Sequence, residues 1–283
     1  MCCQNGKRES SCHLAVKEDK KDRSMGLTRE VELTQVRSDE ESRTKNRIVR
    51  EVPLTILVNG TELATLLCTP DKLEYLAVGF LLSEGLITRA TKIKGITLNE
   101  KGWYIKMEIA NDDLLEKGIT SKRVIGTGCA GGISFYRAVD MRDCLPLKSS
   151  VLISKEKILS LMKEFLGMSD LYKDTHGVHS AALCIAEKIE IFTEDIGRHN
   201  AIDKISGECF LKGISTEDKI VLTTGRVSSE ILIKVARQKI PIIVARSVPT
   251  DMAVGLAERL NVTLIGSVRG SRMNIYTHDY RVK

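Results

Sequence analysis

Between residues 219 and 265 the chain alternates short apolar runs with segments of helical periodicity, and this constrains the fold more than any other feature. Lys219–Thr224, Pro241–Ala245 and Asn261–Ile265 have the length of strands, while Ser228–Gln238 and Thr250–Leu260 read as the helices between them. A strand–helix–strand–helix–strand order implies parallel pairing with right-handed crossovers. The expected fold class is therefore α/β, a parallel-rich sheet flanked by helices. Ligands of such sheets bind outside the carboxyl ends of the strands.

The N-terminal half reads differently. Pro53–Val58 and Thr61–Leu67 are β-rich runs joined by Asn59-Gly60, the pattern of a hairpin with a type I′ turn. Thr69-Pro70-Asp71 predicts a helix start, with Thr69 as N-cap and Pro70 at the first helical position. Leu73, Leu76, Ala77, Phe80 and Leu81 would form its apolar face and Gly85 its end. Trp103–Ile109 alternates like a strand, and a helix is expected from a Ser154 cap to Gly167. Residues 1–47 carry 11 Lys/Arg, 9 Asp/Glu and no aromatic residue, so they are expected to form a disordered tail. The expected organisation is that tail, a smaller N-terminal α+β subdomain over 48–150, and an α/β subdomain over 151–283.

Composition excludes several classes of function. The longest apolar stretches, such as Tyr75–Leu82 and Ile240–Ala245, fall well short of the roughly 18 residues that span a bilayer. The first residues show no secretory h-region, so a cytoplasmic location without a membrane partner is expected. The net charge, 43 minus 37 or +6, is spread without a polybasic block, which argues against nucleic acid as the main partner. The eight cysteines lack the spacing of a disulfide framework and should be thiols. Cys2, Cys3, Cys12 and His13 read as incidental, and Cys68, Cys144, Cys184 and Cys209 as small buried hydrophobes.

Three groups of residues could carry chemistry. Cys129 lies in Gly126-Thr127-Gly128-Cys129-Ala130-Gly131-Gly132, where glycines leave a thiol uncovered and backbone N–H groups can stabilise a thiolate. The bland alternative is a small residue in a tight turn. His176 and His179, with Glu194 through Asn200 beyond the next apolar run, offer His179 or His199 as a base or electrostatic partner for that thiolate. Each histidine could equally be a satisfied residue at a strand end, and the zinc deaminase pattern is absent. Arg226, Arg246 and the run Ser267-Val268-Arg269-Gly270-Ser271-Arg272 follow the three expected parallel strands. Arginines, small residues and helix N-termini converging on one edge suit a phosphate or pyrophosphate, although loop arginines are often simply solvated.

Taken in order, these runs resemble the formate dehydrogenase accessory sulfurtransferase family, the FdhD family. The resemblance covers about Glu51 to Tyr276. It rests on Glu51-Val52-Pro53-Leu54, Asn59-Gly60, Leu76 through Leu81 with Glu84-Gly85, and Gly126 through Cys129. Glu194 through Lys204, Thr224-Gly225-Arg226 with Glu230, and Thr263 through Arg269 complete it. It implies a cytidine-deaminase-like α/β fold, a persulfide on Cys129, a cysteine desulfurase as donor, and formate dehydrogenase as client. The acceptor implied is the molybdenum or tungsten of a bound bis-molybdopterin guanine dinucleotide. Ser267–Arg272 match the family's cofactor segment, and Arg226, His179 and Arg198 join them as candidate cofactor-binding residues. Many members of the fold self-associate, which makes a homodimer the matching expectation; no resident metal is expected.

Two positions depart from the family pattern. Many members carry Cys-x-x-Cys in the glycine loop, whereas Gly132 occupies the second position here, leaving a single thiol. His176 replaces a glycine in the Thr-Gly-Gly-x-His run, whose histidine is His179. The leading reading is persulfide transfer through Cys129. A non-catalytic cofactor chaperone, needing Arg269 and Arg272 only, and a zinc hydrolase using His176, His179 and Cys129 are the alternatives.

Overall fold

The computed structural model describes residues 26–38, 40–110, 124–125 and 145–283. It begins with a two-stranded antiparallel ribbon, β1 (Thr28–Arg37) and β2 (Glu40–Val49), where the composition predicted a tail. Pairing places Glu30 opposite Arg47 and Glu32 opposite Lys45, with Lys45 Nζ 2.9 Å from Glu30 Oε1. Cross-strand pairs of opposite charge support strands without a core behind them, which a burial criterion overlooks. The base of the ribbon is anchored where Val49 packs against Gly177 and Arg47 reaches to 3.8 Å from Asp174. The remainder of the expected tail, including Cys2, Cys3, Cys12 and His13, lies outside the described residues.

A five-stranded sheet follows, built from β3 (Val52–Val58), β4 (Thr61–Cys68), β5 (Ile93–Asn99), β6 (Tyr104–Ile109) and β7 (Val124–Ile125) in the order β5-β6-β3-β4-β7. Asn59 and Gly60 both have positive φ, 47° and 82°, as a type I′ turn requires. Helix α1 (Leu73–Ser83) starts later than expected, and Thr69 is not its cap. The Thr69 hydroxyl instead accepts from the Ile196 N–H at 3.0 Å, a tertiary use that outcompetes local capping. Every face of α1 is covered, because the sheet packs on one side and a second helix on the other.

The remaining elements are α2 (Lys155–Gly167), α3 (Asp170–Thr175), β8 (His179–Cys184), β9 (Ile189–Asp195), α4 (Arg198–Lys212), β10 (Ile220–Thr223) and α5 (Ser229–Arg237). They continue with β11 (Ile242–Ala245), α6 (Asp251–Leu260), β12 (Thr263–Arg269) and β13 (Arg272–Ile275). Ser154 caps α2 through its side chain as the sequence predicts, while Ser228 and Thr250, expected as the first residues of α5 and α6, are their side-chain caps. The second sheet runs β13-β12-β11-β10-β8-β9. Its centre, β10-β11-β12, is parallel as expected, but the outer pairings β13-β12, β10-β8 and β8-β9 are antiparallel. The sheet is thus mixed rather than parallel-rich, because the connections at 185–188 and at Gly270-Ser271 are too short for a crossover.

Helix α2 covers one face of this sheet, and α4, α5 and α6 cover the other. Helix α1 then lies against α4, joining the two sheets into one layered body. The α1–α4 contact is made by glycines: a Cβ on Gly79 would sit 1.7 Å from the Asp203 carbonyl oxygen, and one on Gly207 1.9 Å from the Tyr75 carbonyl oxygen. Polar groups cross the same seam. Asp203 is fully buried, accepts from Ser83 Oγ at 2.5 Å and pairs with Lys234 Nζ. Lys72 Nζ donates to Glu208 Oε2 at 2.7 Å and to the Phe192 carbonyl at 3.0 Å. Among the described residues no helix is long and apolar enough to cross a membrane.

Candidate functional site

The carboxyl ends of β10, β11 and β12 lie at one edge of the six-stranded sheet. Antiparallel β8 and β9 add the amino end of β8 and the carboxyl end of β9, so His179, paired with Asp195, joins that edge. Backbone bonds lock it together: Thr224 N–H to the Ser180 carbonyl (3.1 Å), Arg246 N–H to Thr223 (2.9 Å) and Ser267 N–H to Ser247 (2.8 Å). The amino ends of α5 and α6 directly follow β10 and β11, and that of α4 follows β9. From His179 on β8 to Ser267 on β12 is three strand spacings, or about 14 Å. The edge is therefore a long groove rather than a point.

The predicted basic side chains gather here. Arg226, Arg269 and Arg272 are exposed, and Arg246 donates to the Val268 carbonyl at 3.4 Å. The stem of Arg198 passes over Gly225, where a Cβ would come within 2.9 Å of Arg198 Cβ. Gly225 thus admits the arginine to the edge. The Ser267–Arg272 segment is a bulged hairpin end: the register shifts between Gly266 and Arg269, and Ser267 and Gly270 both have φ of 56°. One predicted ligand residue is misplaced. Val268 is buried in the core beneath the sheet, because the bulge turns its side chain inward while Ser267 and Arg269 stay accessible.

The histidines separate in role. His179 Nδ1 lies 3.4 Å from Thr224 Oγ1, and burial with the nearby Arg198 guanidinium holds its pKa below the ordinary value. His199 Nε2 lies 3.5 Å from Glu230 Oε2, yet burial, Lys234, Arg198 and His179 push its pKa down to about 3. His199 is therefore neutral in the native state at physiological pH, whereas the unfolded chain protonates it near 6.5. Its contribution to stability is complete above pH 6.5 and is lost as pH falls toward about 3. His199→Asn should flatten that acid limb, read from urea midpoints against pH. His176 takes no part in the edge; it caps α3 with φ of 52° and packs edge-on against Tyr172 at 5.1 Å.

The described cysteines are inert by environment. Cys68, Cys184 and Cys209 are fully buried, and burial pushes each thiol up to about 12. Cys144, Cys129 and the Gly126–Gly132 run lie outside the described residues. The described chain stops at Ile125, paired in parallel register with Leu66 of β4. The next residue of β4, Leu67, receives the Asn200 side chain on its carbonyl at 2.9 Å, so the strand end beside Ile125 is tied to the first turn of α4. Among the described residues no three His, Cys, Asp or Glu side chains gather as metal ligands.

Sequence reasoning passed over one feature. The Asp195 carboxylate is completely buried and accepts from Thr69 N–H (3.1 Å), Gly197 N–H (2.9 Å) and Asn200 Nδ2 (2.8 Å), with Lys204 Nζ at 2.8 Å. The signal available was the spacing of Asn200 and Lys204, four apart on one helix face and just after an acidic residue.

Comparison with known proteins bears on this site. The sequence profile of the FdhD/NarQ family matches residues 49–283. A Bacillus subtilis (strain 168) protein named "Sulfur carrier protein FdhD" is 42% identical over 242 residues, covering 86% of this chain and 92% of its own. A protein of the same name from Staphylococcus aureus (strain MRSA252) is 38% identical over 240 residues, covering 84% and 90%. A solved structure, "Crystal structure of a putative formate dehydrogenase accessory protein from Desulfotalea psychrophila", superposes with a TM-score of 0.76 at 26% identity, covering 91% of this chain and 100% of that one.

Proposed function

The chain belongs to the FdhD/NarQ family, and from that premise we propose that it is a sulfur carrier whose Cys129 takes sulfane sulfur from a cysteine desulfurase. The sulfur goes to the molybdenum or tungsten of a bis-molybdopterin guanine dinucleotide, the cargo that formate dehydrogenase requires. One observation carries this reading: Ile125, four residue steps before Cys129, pairs with β4, and the end of β4 is hydrogen-bonded to the helix that carries Arg198 and His199. Three residues lie between Ile125 and Cys129, so four residue steps bound their separation at about 14 Å. The cytidine-deaminase-like core of residues 151–283 belongs to the same reading, supported by a mixed sheet with helices on both faces.

In the loading step the Cys129 thiolate attacks the terminal sulfur of the donor persulfide. A new S–S bond forms on Cys129, the donor S–S bond breaks, and the donor leaves as a thiolate, with no net oxidation. Release of that sulfur to the metal as sulfide takes up two electrons, which a dithiol reductant supplies. Arg226, Arg269 and Arg272 suit the pyrophosphates of the cargo, with the accessible backbone of Ser267, Gly270 and Ser271 beside them and Arg198 and His179 at the far end. Val268 supplies only its carbonyl, as an anchor for Arg246.

A chaperone that holds the cofactor without a persulfide is the second reading, favoured by a cationic edge that is complete without Cys129. Guanosine diphosphate, a fragment of the cargo, probes the shared part of both. Arg269→Ala with Arg272→Ala should weaken its binding in calorimetry about 10- to 100-fold, the worth of one or two charge-assisted hydrogen bonds. Added salt should narrow the difference. Unchanged affinity would remove the edge from both readings.

A further inference from the structure

We infer that Asp195 is a positioning residue that keeps the departure point of the Cys129 segment in register with the cationic edge. The inference rests on the sulfur-carrier reading. Asp195 ends β9, and its oxygens receive donors from two separate parts of the chain. Thr69 N–H comes from the end of β4, and Gly197 N–H, Asn200 Nδ2 and Lys204 Nζ come from the turn and helix that follow.

The donors make second bonds that complete a clamp. Asn200 Nδ2 also donates to the Leu67 carbonyl, and Lys204 Nζ to the Glu194 carbonyl at 2.8 Å. The Ile196 N–H returns to Thr69 Oγ1. The end of β4 is thereby tied to the β9–α4 turn at Leu67 and at Thr69. On one side of that clamp, β7 is hydrogen-bonded to β4 through Leu66, so Ile125 moves with it. On the other side, the turn delivers Arg198 onto Gly225 and His199 toward Glu230, while Asp195 itself pairs with His179.

An apolar residue could fill the same volume without burying a charge, and replacing buried ion pairs by hydrophobic groups is often neutral for stability. What an apolar group lacks is direction. Four directed bonds on one carboxylate fix the separation and the angle of the two parts, which contact packing alone leaves free to slide. Loading of Cys129 by a donor needs only access to the thiol. Delivery to a cargo held on the edge needs the thiol's root and the edge in fixed register.

The test uses the full chain carrying Asp195→Leu with Lys204→Met, which removes both charges together and leaves neither buried alone. Four quantities are read: the thermal melt, guanosine diphosphate affinity, sulfur loaded on Cys129 by a cysteine desulfurase, and activation of formate dehydrogenase. The expected result is a folded protein with probe affinity and loading within about twofold of the parent, and activation lowered at least about tenfold. Asn200→Ala cuts the bridge to Leu67 and leaves the ion pair in place, and it should show the same split to a smaller degree if the double variant does not fold. Unimpaired activation, or a parallel fall of affinity, loading and activation, would overturn the positioning role. Absence of loading on the parent protein would instead overturn the sulfur-carrier reading on which it rests.

Discussion

Cys129→Ala yields a folded protein that has lost formate dehydrogenase activation by about a hundredfold or more, because none of the described thiols can take over the transfer. A nucleophilic sulfur must be accessible and partly ionised. Cys68, Cys184 and Cys209 are neither: each is fully buried in a core cluster, and burial pushes its pKa to about 12. Gly132 leaves no second cysteine in the loop to act as a relay. The substitution removes a single sulfur atom, so the melting temperature should stay within about 2 °C of the parent. Formate dehydrogenase activity in cells that rely on the variant, together with a thermal melt of the purified protein, checks both halves. Full activation by a folded variant would favour the chaperone reading.

Gly79→Ala is expected to remove about 3 to 5 kcal/mol of stability, far more than one methyl group normally costs. The new Cβ would lie 1.7 Å from the Asp203 carbonyl, whereas real contacts of this kind stay beyond 3.0 Å. Backbone meets backbone here, so a side-chain rotation gives no relief, and α1 and α4 must separate by about 1 Å. Separation also disturbs Asp203, whose bonds to Ser83 and Lys234 cross the seam and whose burial makes an unpaired charge costly. At a chain length of this order the loss corresponds to a melting point lower by roughly 10 °C. Gly255→Ala is the control with the opposite sign. It lies within α6 with nothing within 4 Å of an added Cβ, and replacing a helical glycine by alanine there should stabilise by up to about 1 kcal/mol. Urea denaturation of both variants tests the contrast.

The parts legible in the sequence were those decided by local patterns. The β10-β11-β12 core, the Asn59-Gly60 turn and the Ser154 cap depend on periodicity, glycine at positive φ and a short side chain ahead of a helix. The parts that escaped depend on tertiary partners. Helix α4 carries Asp203, Lys204, Ser206 and Glu208 as buried residues, so its pattern does not resemble an amphipathic helix even though it is the central packing element. Thr69 reads as a helix cap until Ile196 claims its hydroxyl, and the ribbon reads as a tail because charge pairing rather than burial holds it. At the site, the arginines were legible because strand ends are predictable from the α/β alternation. Val268 was not, since a bulge reverses the facing that strict alternation implies, and Asp195 was not, since its partners lie 126 residues away at Thr69 as well as nearby.

The central claim is that sulfur rides on Cys129, and it can be read directly. The purified protein is incubated with a cysteine desulfurase and cysteine, digested without reductant, and the peptide containing Cys129 is weighed by mass spectrometry. One added sulfur on that peptide, absent from the Cys129→Ala protein, is the predicted result. An unmodified Cys129 peptide from folded protein, with the desulfurase turning over, would contradict it.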